Sequence, residues 1–164
     1  MTFFRIKKIK GKEYVYLVEN RWDSQGSRQK VKGYLGRAYR FALKASDDFS
    51  EFKKIINIEL YINSNCKERI VEDLIEWELF KFGISKQEFI VNLKNINIQK
   101  NKRKTVFLIN DGFMCSLTLK NLFEFKPQGD EQVDGHNLAR AFVEAGIKVP
   151  EEVFVGLFGK FYKT

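Results

Sequence analysis

Histidine is nearly missing from this sequence: His136 stands alone beside two cysteines and two prolines in 164 residues. A zinc site built from His and Cys would lack donors. Cys66 and Cys115 are too few for a disulfide framework, and each lies in an apolar context without a CxxC spacing, so both read as reduced packing residues. No low-complexity segment or internal repeat interrupts the chain. No apolar run approaches the roughly 18 residues of a membrane span, and the opening MTFFRIKKIKGKEY alternates charged and apolar residues where a signal peptide would be continuously apolar. A cytoplasmic protein with no membrane contact is expected. Gly-rich phosphate loop, Walker lysine, GxSxG elbow and Cys-His pair are all missing, which argues against nucleotide hydrolysis and acyl transfer.

Acidic residues are locally scarce as well. Arg28 to Phe41, RQKVKGYLGRAYRF, contains none, whereas basic residues, tyrosines and glycines alternate through it. Residues 1–41 hold eleven Lys or Arg against three acids, while the remaining 123 residues hold 18 of each, so the formal charge of +8 arises entirely in the first quarter of the chain. Such asymmetry points to a polyanionic partner.

Within this basic quarter, FFRIKKI and YVYLVEN flank a Lys10-Gly11-Lys12 turn, and RQKVKGYLG follows a polar loop from Arg21 to Ser27. The pattern predicts a three-stranded antiparallel meander. Alternation assigns Val15, Leu17, Val31 and Leu35 to one face and Tyr14, Tyr16, Lys30, Lys32 and Tyr34 to the other. A face of that kind offers cations for phosphates and flat rings for unpaired bases. The expected nucleic-acid contacts are Lys7, Lys8, Tyr14, Tyr16, Arg28, Lys30, Lys32, Tyr34, Arg37 and Arg40. A solvated sheet face with edge-guarding lysines is the structural alternative.

The order RIKKIKGKEYVYLVE, a short loop, then RQKVKGYLGR resembles the N-terminal segment of DDE-class insertion-sequence transposases, and the start of hypothetical archaeal proteins, over about 35 residues. The resemblance implies a shared basic β-module that helps to hold nucleic acid. It implies no transposition, because no acidic triad of the required spacing follows.

Beyond residue 41 the chain reads as a mixed α and β body, 42–164. Ser46 is a candidate cap for a helix carrying Phe49, Phe52, Ile55, Ile56 and Leu60; a second helix runs from Cys66 to Phe82 and stops at Gly83. The acids of that second helix, Glu68, Glu72, Asp73, Glu76 and Glu78, read as a solvated face. EFIVNLKNINI and TVFLIN then predict a second small antiparallel sheet, with Asp111-Gly112 as a hairpin turn. Its connecting run Lys100, Lys102, Arg103 and Lys104 could extend the phosphate-binding surface. Three C-terminal helices follow, capped at Ser116, at Asp134 and by Pro150. Phenylalanines along the last one read as core; exposed, they would mark a protein partner.

Two acidic constellations invite a catalytic reading. GDEQVDGH, Gly129 to His136, matches no recognised metal spacing, and acids ahead of a helix serve capping. Asp111 with Glu124 and Lys126 follows the D…ExK order of a nuclease superfamily, but at a helix end the last two side chains diverge. The expectation is therefore an α+β, non-enzymatic nucleic-acid-binding protein with no catalytic residue, no metal and no cofactor. A module docking on a nucleoprotein assembly ranks second and a metal-dependent nuclease third.

Overall fold

In a computed structural model that describes residues 1–162, the chain starts with β1 (Thr2–Ile9), β2 (Lys12–Asp23) and β3 (Gly26–Arg40). Three helices follow, α1 (Phe49–Lys53), α2 (Ile58–Ser64) and α3 (Lys67–Lys81). Strands β4 (Ile90–Asn92), β5 (Asn97–Lys100), β6 (Arg103–Ile109) and β7 (Gly112–Met114) lead into α4 (Ser116–Phe123), α5 (Glu131–Glu144) and α6 (Glu151–Tyr162). The α+β class and the N-terminal antiparallel meander are as the sequence pattern predicts.

The two expected sheets are joined. β3 runs parallel to β6, with Arg37 opposite Thr105 and Arg40 opposite Leu108, and this pair fuses the strands in the order β1-β2-β3-β6-β5-β4, with β7 on β6. Parallel pairing between segments about 70 residues apart leaves no local sequence signal. One face of the joint carries Tyr39 and Phe107 into the larger core, where the Phe89 ring meets them edge-on at 5.2 and 5.0 Å and to which Ile70, Leu74 and Ile75 of α3 also belong. Its other face sends Ala38 and Val106 into a small core with Val15 and Cys115, bordered by Phe4, Leu35 and Phe113.

Gly36 makes the joint possible. Its φ is +141°, and a Cβ there would stand 2.7 Å from the Lys104 carbonyl carbon and oxygen. Only glycine lets the two backbones approach so closely.

Local chemistry moved several boundaries. The cap of α1 is Asp48 rather than Ser46, because Glu51 N–H donates to Asp48 Oδ1 (2.7 Å) and Asp48 N–H to Glu51 Oε2 (3.1 Å). That helix ends at Lys54, φ +55°, so the single expected helix becomes two. Cys115 and Asp130, one and four residues ahead of the expected Ser116 and Asp134, occupy the caps of α4 and α5. The β6–β7 turn uses Asn110 and Asp111, φ 50° and 59°, and Gly112 already belongs to β7, where a Cβ would meet Gly146 N at 2.4 Å. On α3, Asp73 and Glu78 are buried and not solvated. Asp73 accepts from Tyr61 Oη (2.6 Å) and pairs with Lys53 (3.1 Å), whereas Glu78 accepts from Asn110 Nδ2 (2.9 Å) and Lys148 N–H (2.9 Å) and pairs with Lys81 (3.1 Å). Among the described residues no helix is long and apolar enough to cross a membrane.

Candidate nucleic-acid interface

Tyr14, Tyr16 and Tyr34 form one cluster. Their alternation on β2 and the pairing of Tyr16 with Tyr34 bring the Tyr34 ring within 5.3 Å of Tyr16 and 6.4 Å of Tyr14. On the neighbouring strand Lys7 pairs with Tyr14 and holds its ammonium 5.0 Å above the Tyr16 ring. Partial burial, then the adjacent phenols of Tyr16 and Tyr14, raises the Tyr34 hydroxyl above its ordinary pKa. It stays a neutral hydrogen-bond donor at physiological pH.

The β5–β6 hairpin brings its cations to the same place. Asn101 and Lys102 adopt φ of 51° and 63°, a two-residue turn that matches strand twist, so Lys100 and Arg103 face each other across the strands. Because β3 lies along β6, this tip leans over the tyrosines. A cleft of about 310 Å³ results, lined by Tyr14, Tyr34 and Tyr39 with Lys12, Arg37, Lys100, Arg103 and Lys104. Arg37 and Lys100 are steadied by the Tyr39 ring, 5.0 and 5.1 Å from its centre. Lys100 also pairs with Glu88, while no acid contributes to the cleft wall. Crowded cations with no acid between them create a field that attracts anions, and the aromatic walls suit a base or sugar.

Other expected contacts lie elsewhere. Glu13, Glu19 and Asp23, the only acids of the basic quarter, each reach a cation across strands or around the hairpin. Arg40 binds Glu13 at 2.7 Å on the reverse face of the sheet, and Lys8 stands opposite the same Glu13. Lys32 contacts Glu19 at 3.3 Å, as does Arg21, and these two cations hold the Glu19 carboxyl below its ordinary pKa. Arg28 lies 3.6 Å from Asp23 at the far end of the hairpin. The displacement of Lys30 and Lys32 from the tyrosine face has a backbone cause. Two bulges skip Leu35 and Lys32 in the pairing of β3 with β2, so strict alternation fails along β3, and Lys30 falls opposite Glu19. Lys102 is exposed in the hairpin turn, outside the cleft lining.

Lys12 and Tyr39, both in the cleft wall, escaped the sequence reading. Tyr39 alternates with Arg37 and was legible in principle, whereas Lys12 reaches the cleft only because the meander folds against β6. The two acidic constellations serve structure: Asp130 Oδ1 accepts from Gln132 N–H (3.0 Å) and Val133 N–H (3.1 Å), Asp134 accepts from Gln128 and Gly129 N–H and from Tyr162 Oη, and Asp111 lies in its turn. Glu124 caps the end of α4. Comparison with protein-family models, with curated proteins and with solved structures returns no match.

Proposed function

We infer that this chain is a non-enzymatic nucleic-acid-binding protein whose binding centre is the tyrosine-walled cleft between the meander and the β5–β6 hairpin. The observation that carries this reading is the convergence of five cations and three tyrosines, drawn from segments about 70 residues apart, on one acid-free cavity. Phosphates would sit on Arg37, Arg103 and Lys104, and an unpaired base on Tyr34 or Tyr14. The free cysteines Cys66 and Cys115 fit work in the reducing cytoplasm.

The test is binding of single-stranded RNA and DNA oligonucleotides at several salt concentrations. Counterion release gives a falling log K against log salt, with a slope of about −0.7 for each phosphate neutralised on a single strand. The double variant Arg37→Glu, Arg103→Glu should lose at least tenfold in affinity, more than Lys30→Glu, Lys32→Glu, and melt as the native protein does. Lack of binding at low salt, or a flat salt dependence, overturns the reading.

Docking on a nucleoprotein assembly is favoured by two apolar grooves. One, about 450 Å³, lies between α2 and α6 along Ile58, Ile62 and Val155; the other, about 460 Å³, is lined by Phe142, Val143, Ile147 and Phe154. If the cleft variants leave association with such an assembly intact and Val155→Asp abolishes it, this second reading takes first place.

A further inference from the structure

Pairing of β1 with β2 stops at Thr2 opposite Glu19, yet β2 and β3 stay paired to Asp23 and Gly26. The last turn of the meander is therefore a two-stranded ribbon projecting beyond the sheet. Near its tip Trp22 is 82% exposed. A tryptophan left in water forgoes the apolar burial that a core position would provide. The other tryptophan, Trp77, is buried, with Nε1–H donating to Asp47 O at 3.0 Å.

Both bulges put their extra residue on β3, so alternation along β2 is unbroken and Trp22 shares a face with Tyr14 and Tyr16. Between Tyr16 and Trp22 that face carries the buried Val18 and then Asn20. Every residue from Asn20 to Lys30 other than Trp22 is polar or glycine; Asn20, Ser27 and Gln29 share the face of Trp22, while Arg21, Arg28 and Lys30 stand on the reverse face of the same two-stranded ribbon. A protein-binding anchor is ordinarily surrounded by further apolar surface. A single ring among amides and a hydroxyl, on a ribbon two strands wide whose reverse face is basic, has the chemistry of a base-stacking platform instead.

We propose that Trp22 is a second, distal base-stacking residue, and that the β2–β3 ribbon extends the cleft into a track for single-stranded nucleic acid. This rests on the reading of the cleft given above. Eight residues separate Tyr14 from Trp22, about 27 Å of strand. At the 3.4 Å per nucleotide of a stacked strand this distance covers about eight nucleotides, and fewer if the strand is extended. A single strand is flexible enough to follow the ribbon's twist. Short oligonucleotides then occupy the cleft alone, and long ones reach Trp22.

Tryptophan emission tests this directly in the native protein, since the buried Trp77 is shielded from an added base. Oligouridylates of three and twelve nucleotides are titrated at low salt. The 12-mer should quench emission and bind more tightly than the 3-mer, which should leave emission unchanged. Trp22→Ala should weaken the 12-mer about tenfold, leave the 3-mer unaffected and abolish the quenching, while Trp22→Phe should retain most of the affinity. If Trp22→Ala binds the 12-mer as the native protein does, or loses both oligonucleotides by the same factor, the proposal is overturned. So it is if Trp22 emission responds to protein concentration without nucleic acid, which assigns the ring to a second copy of this chain. A 3-mer that binds with a 12-mer no tighter sinks the track and spares the cleft; failure of every oligonucleotide to bind removes both.

Discussion

Asp134 illustrates how much one side chain can organise. It is buried at the start of α5, accepts the N–H groups of Gln128 (2.9 Å) and Gly129 (3.0 Å), and receives the Tyr162 hydroxyl from the end of α6. The Tyr162 contact first, then the N–H donors, holds its carboxyl below the ordinary aspartate value, while burial and Asp134 push the Tyr162 phenol up to about 12. A carboxylate with a lowered folded pKa contributes stability that is complete above its unfolded value near 3.9 and vanishes as pH falls through the folded value. Asp134→Asn should therefore melt below the native protein at pH 7, and the two melting curves should converge as the pH is lowered below about 4. At Gly36 the constraint is backbone: alanine would meet the Lys104 carbonyl at a φ of +141°. Gly36→Ala should cost about 1–3 kcal/mol, a drop of several degrees in melting temperature, and should weaken oligonucleotide binding as the β5–β6 tip moves off the tyrosines.

At the scale of elements, the β5–β6 hairpin separates stability from binding. Lys102 holds φ +63° in its turn, a conformation that glycine adopts without the penalty a Cβ incurs. Lys102→Gly should raise the melting temperature by at most a few degrees, because relief of the roughly 1–2 kcal/mol a Cβ costs in this conformation exceeds the roughly 0.5–1 kcal/mol entropic cost of glycine. It removes a cation at the edge of the cleft, so the salt slope for single strands should become shallower by at most about 0.7. Scanning calorimetry and a salt titration on the same sample check both. The β2–β3 ribbon behaves differently: its cross-strand ion pairs at Glu19 and Asp23 are exposed and contribute little to stability. Their effect is to withhold Lys32, Arg21 and Arg28 from an incoming phosphate.

For the molecule as a whole, Glu78 is the fastening. Its carboxylate, fully buried on α3, ties together the β6–β7 turn through Asn110, the α5–α6 connection through Lys148 N–H and its own helix through Lys81, whose ammonium also lies 3.5 Å over the Trp77 ring. Removing one member of such a set leaves a buried cation and two donors without an acceptor. Glu78→Ala should lose about 3–5 kcal/mol, visible as a large fall in the urea midpoint, whereas Glu76→Ala, two residues away and pointing to the opposite, solvent side, should change it little.

The sequence alone determined the elements and the sign of the charge. Hydrophobic periods of two and of about 3.6 residues are local properties, so the meander, the long α3 and the three C-terminal helices were legible, as was the concentration of cations before residue 41. Cap identities slipped by one to four residues, because competing Asp, Ser and Cys side chains are resolved only by which one reaches a free N–H, as Asp48 and Asp130 do. Tertiary structure decided which cations act together. Bulges at Leu35 and Lys32 turned Lys30 and Lys32 toward Glu19, and the parallel pairing of β3 with β6, permitted by Gly36, carried Lys100, Arg103 and Lys104 to the tyrosines. Neither could be read along the chain. A bulge shifts every later side chain by one face, and a parallel pair forms between segments whose sequences carry no record of each other.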